Sequence, residues 1–306
     1  MNVSNPKSDF VHANGIRFHY LDWGGHGPTL IFLAGMGCSA YIYNKFAPRF
    51  THKFHVLGFT RRGHGESDYP ETGYDADTLV EDIRQFMDAL HIQKAIFVGH
   101  SLAGVELTHF AATHPTRVEK LIYLEALDDR RGEPDIMKQD PIGKVEIRRE
   151  EHAPPRTLEE YIAIVKRDVP EFAKIWSELW DEEVSHGVTV NEEGIVVDKM
   201  SASIEKMLVE NLVKDYAPKK VKAQIPTLSF YGLRRRALTN DYTEEQKASY
   251  DQFCRDVKDP FFWSIISEFQ NRFPHAKTVV IPDGHHYCFI AQEELVFTEM
   301  QSFLQE

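Results

Sequence analysis

Short apolar runs alternate with amphipathic stretches along most of the chain. The runs are rich in β-branched and aromatic residues, which predicts strands buried on both faces of a sheet. These predicted strands cover residues 10–21 (a hairpin around Asn14-Gly15), 30–33, 54–59, 95–98, 118–124, 227–231 and 278–281. Residues 75–90 instead carry apolar side chains at the spacing of a helix, and a closing helix is predicted over 294–304. Strands that alternate with helices predict an α/β fold with a doubly wound, mostly parallel central sheet.

The pattern changes between residues 130 and 222, where the chain is charged, helix-prone and without an apolar run typical of a buried strand. This region contains bulky aromatic residues such as Trp176 and Trp180. We therefore predict a core made of residues 1–129 and 223–306 and a helical cap over 130–222. The cap would lie over the carboxyl edge of the sheet, where ligands bind in folds of this kind, and its aromatic residues would contact substrate.

The composition of the chain limits the kinds of molecule that the protein is expected to bind. A formal net charge of −12 argues against nucleic acid and anionic membranes, and no apolar run is long enough to cross a bilayer. Cys38, Cys254 and Cys288 are scattered, and no histidine pair has convincing metal-ligand spacing, so we expect neither disulfides nor a metal. The polar amino terminus lacks the apolar stretch of a signal peptide. The expectation is a cytoplasmic protein that acts on a small molecule, with the oligomeric state left open.

The segment Gly99-His100-Ser101-Leu102-Ala103-Gly104 carries the strongest chemical signal. It follows the strand predicted at 95–98 and precedes a helix, the setting of a G-x-S-x-G nucleophile elbow. Ala103 stands in place of the last glycine, but it is small enough for close packing of the helix on the strand. Such a turn places the Ser101 hydroxyl beside backbone N–H groups at the start of a helix, which can receive an oxyanion.

Together with the elbow, three further segments resemble the α/β-hydrolase family in their order and spacing. They are Leu33-Ala34-Gly35-Met36-Gly37, residues 61–68 (RRGHGESD) and Gly284-His285. The resemblance covers nearly the whole chain and implies a serine hydrolase with a Ser–His–acid triad and no cofactor. By its position after Gly284, His285 matches the family's base, with the neighbouring His286 as the alternative.

The acid departs from the usual family pattern. Arg235 stands where most members carry an aspartate, and an arginine cannot orient an imidazole. Some members, such as haloalkane dehalogenases, carry the acid after the sixth strand instead, and Glu125 ends the corresponding apolar run here. We therefore predict Glu125 as the acid. The alternatives are Asp128, Asp129 and Asp241.

By the same resemblance, the backbone N–H groups of Met36 and Leu102 form the oxyanion hole. The predicted function is cleavage of carboxylic esters through an acyl-enzyme formed on Ser101. The same residues are compatible with cleavage of lactone, thioester, amide or C–C bonds, or with a non-catalytic ligand receptor. The sequence leaves the natural substrate open. Arg62 and the glycines around it are expected to stabilise the fold.

Overall fold

A computed structural model of the protein describes residues 5–126, 133–143, 153–214, 224–233, 238 and 242–306. Eight strands form one sheet in the order β1-β2-β4-β3-β5-β6-β9-β10, with β1 and β2 antiparallel to their neighbours and the others parallel. The strands are β1 (Lys7–Ala13), β2 (Ile16–Gly24), β3 (Thr29–Leu33), β4 (His55–Phe59), β5 (Ala95–His100), β6 (Val118–Leu124), β9 (Thr227–Leu233) and β10 (Ala276–Pro282). The predicted doubly wound, mostly parallel sheet is confirmed.

Helices cover both faces of this sheet and fill the connections between its strands. They are α1 (Ala76–Ala89), α2 (Ala103–Thr113), α3 (Glu133–Met137), α4 (Leu158–Asp168), α5 (Pro170–Ile175), α6 (Glu178–Gly187), α7 (Ala202–Leu208), α8 (Glu244–Phe253), α9 (Asp259–Arg272), α10 (Cys288–Ala291) and α11 (Glu293–Gln305). The Asp75 side chain caps α1 by accepting a hydrogen bond from the Thr78 N–H. No helix in the described part of the chain is long and apolar enough to span a membrane.

The central strands are buried on both sides because each face of the sheet has its own apolar layer. Phe97 and Leu121 face one layer, beneath α1, α2 and α9. Ile96 and Ile122, one residue away on the same strands, face the other layer, with α10 and α11. Successive side chains of a strand point to opposite faces, so continuous apolar runs are the pattern that such a sheet requires.

The segment between β6 and β9 contains α3 to α7 and also a short antiparallel hairpin of β7 (Val188–Val190) and β8 (Val196–Asp198). This hairpin was not predicted, because three-residue strands that are partly exposed lack the apolar run of a buried strand. We call residues 153–214 the inserted segment. It contacts the loops that follow β3 and β10, at the edge where the parallel strands end.

Candidate active site

Ser101 occupies the turn between β5 and α2. Its φ of +53° is unusual for a residue with a side chain, and its N–H donates to the Leu124 carbonyl at 3.1 Å. Such a conformation costs about 1–3 kcal/mol and is maintained by the surrounding structure. A Cβ at Gly104, one residue beyond the usual motif position, would lie 1.8 Å from the Ala126 carbonyl oxygen, so a glycine is needed where α2 passes the backbone that follows β6.

The imidazole beside Ser101 belongs to His286. Its Nε2 lies 3.0 Å from the Ser101 Oγ, and its Nδ1 lies 3.4 Å from the Glu125 Oε2. The prediction of His285 at this position is therefore wrong, and the alternative, His286, takes its place. An imidazole between a hydroxyl and a carboxylate can accept the hydroxyl proton on one nitrogen while the carboxylate fixes the proton on the other.

The loop after β10 explains why the second histidine faces Ser101. Asp283 adopts a φ of +50°, and the Gly284 N–H closes a tight turn on the Ile281 carbonyl at 3.1 Å. The next residue, His285, turns toward the inserted segment, with its Nε2 3.3 Å from the Glu171 carbonyl oxygen. Its Nδ1 accepts from the Tyr287 N–H at 3.0 Å. Each nitrogen of His285 therefore has a backbone partner away from the nucleophile.

His100 contacts the backbone of His286 from the other side. Its side chain is fully buried, and its Nε2 lies 2.9 Å from the His286 carbonyl oxygen. Because a carbonyl can only accept, this contact requires a proton on the His100 Nε2. The residue that precedes the nucleophile thus fixes the backbone of the loop that carries His286. Sequence reasoning missed this role.

Glu125 lies at the end of β6, 4% exposed, with a φ of +51°. Its Oε1 accepts from the Gly232 N–H on β9, and its Oε2 faces His286. The hydrogen bond from Gly232 stabilises a carboxylate that would be costly to bury without partners. A Cβ at Gly232 would lie 3.1 Å from the Glu125 Oε1 and 2.7 Å from the Gly284 carbonyl oxygen. A glycine in a strand can mark such a close approach of two backbone segments, and Gly232 is a signal of this kind that the sequence analysis did not use.

Arg235 and the alternative acids Asp128, Asp129 and Asp241 lie outside the described residues. Among the residues that the structure describes, Glu125 is the carboxylate adjacent to His286. No group of three or more described His, Cys, Asp or Glu side chains is arranged to hold a metal ion.

The loop after β3 passes beside the nucleophile. A Cβ at Gly35 would lie 3.0 Å from the Ser101 Cβ, and the Cys38 N–H donates to the Gly35 carbonyl at 3.3 Å. Met36 lies inside this turn, while Leu102 is the N-cap of α2. Both predicted oxyanion donors thus belong to backbone segments that flank Ser101, and their role remains a prediction.

Arg61 connects the two segments. Its Nη2 donates to the Ala34 carbonyl at 2.9 Å, and its Nε donates to Glu106 of α2 at 2.8 Å. A second contact, from Nη2 to Glu106 Oε2, makes this buried ion pair bidentate. The neighbouring Arg62 forms a similar pair with Asp82 of α1 at 2.6 Å, which agrees with its expected structural role. The role of Arg61 in holding the loop near Ser101 was not predicted.

A cavity of about 210 Å³ lies between the inserted segment and the core. Trp176 and Trp180, both singled out from the sequence, line it with Phe172 and Tyr287. Phe172 stacks on Trp180 with ring centroids 5.1 Å apart, and Tyr287 meets Trp180 edge-on at 4.8 Å. Ser101 and His286 are not lining residues, but Met36 and Tyr287 connect the cavity to the loops that carry the candidate catalytic groups.

Glu183 and His64 are two of the polar side chains of the cavity that have shifted pKa values. Glu183 of α6 accepts from the Ser39 N–H at 2.6 Å and from the Ser39 hydroxyl at 2.8 Å. Burial raises the pKa of Glu183 to about 7, against the effect of these hydrogen bonds. Burial, together with the nearby Arg61, lowers the pKa of His64 to about 3, so this imidazole is neutral at ordinary pH.

Comparisons with known proteins agree with this architecture. Residues 28–149 match the α/β-hydrolase fold family. The chain is 30% identical over 240 residues to an AB hydrolase superfamily protein, YisY, of Bacillus subtilis, covering 74% of this chain and 82% of that protein. It is 35% identical over 118 residues to a non-heme chloroperoxidase of Streptomyces lividans, where the match spans 38% of this chain and 43% of that protein.

The crystal structure of an E-2-(acetamidomethylene)succinate hydrolase has a similar fold. The TM-score is 0.75 with 19% sequence identity, and the superposition covers 98% of this chain and 100% of that one. At this level of identity the likeness concerns the fold, while the chemistry has to be argued from the residues of the site.

Proposed function

We propose that this chain, which belongs to the α/β-hydrolase fold family, is a serine hydrolase that cleaves carboxylic esters through an acyl-enzyme. The observation that carries the proposal is the chain of contacts from the Ser101 Oγ to His286 at 3.0 Å and from His286 to Glu125 at 3.4 Å. The longer contact is within the range found in catalytic groups before substrate binds. The proposal includes a cap over residues 130–222, a cytoplasmic location and a small-molecule substrate.

In the proposed first half-reaction, the Ser101 oxygen attacks the ester carbonyl while its proton passes to the His286 Nε2. The buried Glu125 carboxylate stabilises the imidazolium that forms and keeps the ring in position. The N–H groups of Met36 and Leu102 donate to the oxyanion, and one such donor is worth about 3–4 kcal/mol in comparable sites. His286 then returns the proton to the departing alcohol, leaving the acyl group on Ser101.

In the second half-reaction, His286 removes a proton from water, which attacks the acyl carbonyl and releases the acid. Lactones, thioesters, amides and activated C–C bonds can be cleaved by the same two half-reactions. The choice of a carboxylic ester among these bonds is therefore itself proposed. The similar solved structure is, by its name, a hydrolase of a succinate derivative. We do not propose a dicarboxylate substrate for this chain, because the Glu183 and Asp198 carboxylates that line its cavity would repel one.

The test combines covalent labelling with a substrate panel. The folded chain should react with a fluorophosphonate at Ser101 and hydrolyse p-nitrophenyl esters, while Ser101→Ala should do neither. A panel of esters, lactones, thioesters and amides with matched acyl groups then identifies the bond. A folded chain that binds ligands but neither labels nor turns over any member of the panel would support the receptor function instead.

A further inference from the structure

The cavity beside the candidate site combines aromatic walls with hydrogen-bond acceptors. Its aromatic lining is Tyr69, Tyr161, Phe172, Trp176, Trp180 and Tyr287. Glu183, Asp198 and His64 supply the acceptors, and no lysine or arginine is among the described lining residues. Aromatic walls with nearby carboxylates are the surroundings in which proteins bind cationic amines, through cation–π attraction and charge.

The acceptors of the cavity differ in how far their hydrogen-bonding capacity is already used within the protein. The His64 Nδ1 lies 2.9 Å from the Arg62 carbonyl oxygen, so this nitrogen carries the proton and Nε2 is left as an acceptor. The His64 Nε2 is buried without a protein partner among the described residues. The Glu183 carboxylate accepts from Ser39 and from the Ile42 N–H, and its two oxygens together can still accept a further hydrogen bond. A ligand that brings N–H donors would therefore satisfy these acceptors, while the Trp180 Nε1–H, which is also buried without a partner among the described residues, calls for an acceptor atom on the same ligand.

Basic side chains close to this region are occupied by other partners. Lys199, next to Asp198 in the chain, lies 2.9 Å from Glu66. Arg61 is paired with Glu106 beneath the loop after β3. The Lys166 nitrogen lies 4.7 Å from the centre of the Trp176 ring, which shows that this ring can accept an ammonium group on one face. A carboxylate entering the cavity would meet like charge from Glu183 without a described lining cation to offset it.

The size of the cavity limits the group that fits. A cavity of about 150 Å³ holds a benzene molecule in an engineered protein. The volume of about 210 Å³ here accommodates one ring with a short substituent. We propose that this cavity binds a single aromatic ring carrying a cationic amine and that it discriminates against a carboxylate at the same position. The inference rests on the proposed function in one respect: the aromatic amine bound in the cavity is taken to be part of the substrate that reaches Ser101.

The experiment measures binding without turnover, in Ser101→Ala, at about pH 8, where Glu183 is mostly ionised. Three probes of nearly equal size differ in charge: phenethylammonium, 2-phenylethanol and phenylacetate. Calorimetry, with quenching of tryptophan fluorescence as a second readout, should show that phenethylammonium binds about tenfold or more tightly than phenylacetate, with the alcohol between them. Equal affinities for the ammonium and the alcohol, or tighter binding of phenylacetate, would overturn the inference.

Two further variants test whether the Glu183 charge is the one that favours the ammonium probe over the alcohol. Glu183→Gln in the Ser101→Ala background keeps an oxygen for Ser39 and removes the charge, so the advantage of the ammonium over the alcohol should disappear. Glu182→Gln is the matched control, because Glu182 is exposed on the same helix and its side chain accepts from Asn44 instead. An ammonium preference that persists in Glu183→Gln contradicts the assignment. The order of the three probes in Ser101→Ala remains decisive even where Glu183→Gln does not fold.

The same probes separate this inference from the proposed function. Ester hydrolysis by the native chain together with a preference for phenylacetate in Ser101→Ala would leave the function standing and refute the cavity's selectivity. Selective ammonium binding without any labelling or turnover of the native chain would refute the function and support the cavity.

Discussion

Replacing His286 by alanine tests the site most directly, because the two adjacent histidines have different contacts. His286→Ala removes the imidazole that lies 3.0 Å from the Ser101 Oγ and the contact with Glu125. His285→Ala removes contacts to the Glu171 carbonyl and the Tyr287 N–H, neither of which belongs to the triad. The two variants delete the same side chain from neighbouring positions, so each is the control for the other.

The magnitudes follow from these contacts. Without its general base, a serine nucleophile loses about 10⁶-fold in kcat in a comparable triad, or roughly 8 kcal/mol of transition-state stabilisation. His285→Ala loses two hydrogen bonds, to the Glu171 carbonyl and to the Tyr287 N–H, each worth about 1 kcal/mol net. Because neither bond belongs to the triad, their loss should lower kcat/KM by less than about tenfold.

The assay is steady-state hydrolysis of a p-nitrophenyl ester, with the rate of fluorophosphonate labelling as a direct measure of Ser101 reactivity. Thermal unfolding of both variants shows whether the fold is intact. A well-folded His286→Ala protein that retains more than about a hundredth of the native kcat would refute the assigned base. A larger loss in His285→Ala than in His286→Ala would return the role to His285.

Three further variants probe the supporting structure. Glu125→Gln keeps an acceptor for the Gly232 N–H but not the charge facing His286, so kcat should fall by about 10⁴-fold in the ester assay; a change below tenfold would point to another acid. Glu106→Gln leaves Arg61 buried without its ionic partner and should lower the free energy of unfolding by about 3–5 kcal/mol in urea titrations, whereas a loss below about 1 kcal/mol would contradict this. For Glu183, burial raises the folded pKa from 4.5 to about 7, so the folded state holds a proton that the unfolded state releases. The stability of the native chain relative to Glu183→Gln should therefore fall by about 3 kcal/mol as the pH rises through this window, and a constant difference would refute the shift.

The sequence alone determined the sheet, the elbow and the positions of α1, α2 and α11. Buried parallel strands require continuous apolar runs, and these runs stand out at β3, β5 and β6. The elbow is readable because its constraints are local: small residues around Ser101 and a strand followed by a helix. Glu125 was predicted from the apolar run that it ends and from family members with the acid at that place, and its carboxylate lies 3.4 Å from His286, while its role as the acid stays a prediction.

The choice between His285 and His286 depends on contacts between distant parts of the fold. Two identical side chains on one loop carry no pattern that tells which of them faces the nucleophile. The direction depends on the turn at Asp283 and Gly284, on the contact of Gly284 with Gly232, and on the hydrogen bond from His100 to the His286 carbonyl. These partners are far apart in the chain and meet only when β5, β9 and β10 are aligned in the sheet. Local sequence specifies which groups are available, and the packing of distant backbone segments decides where each of them points.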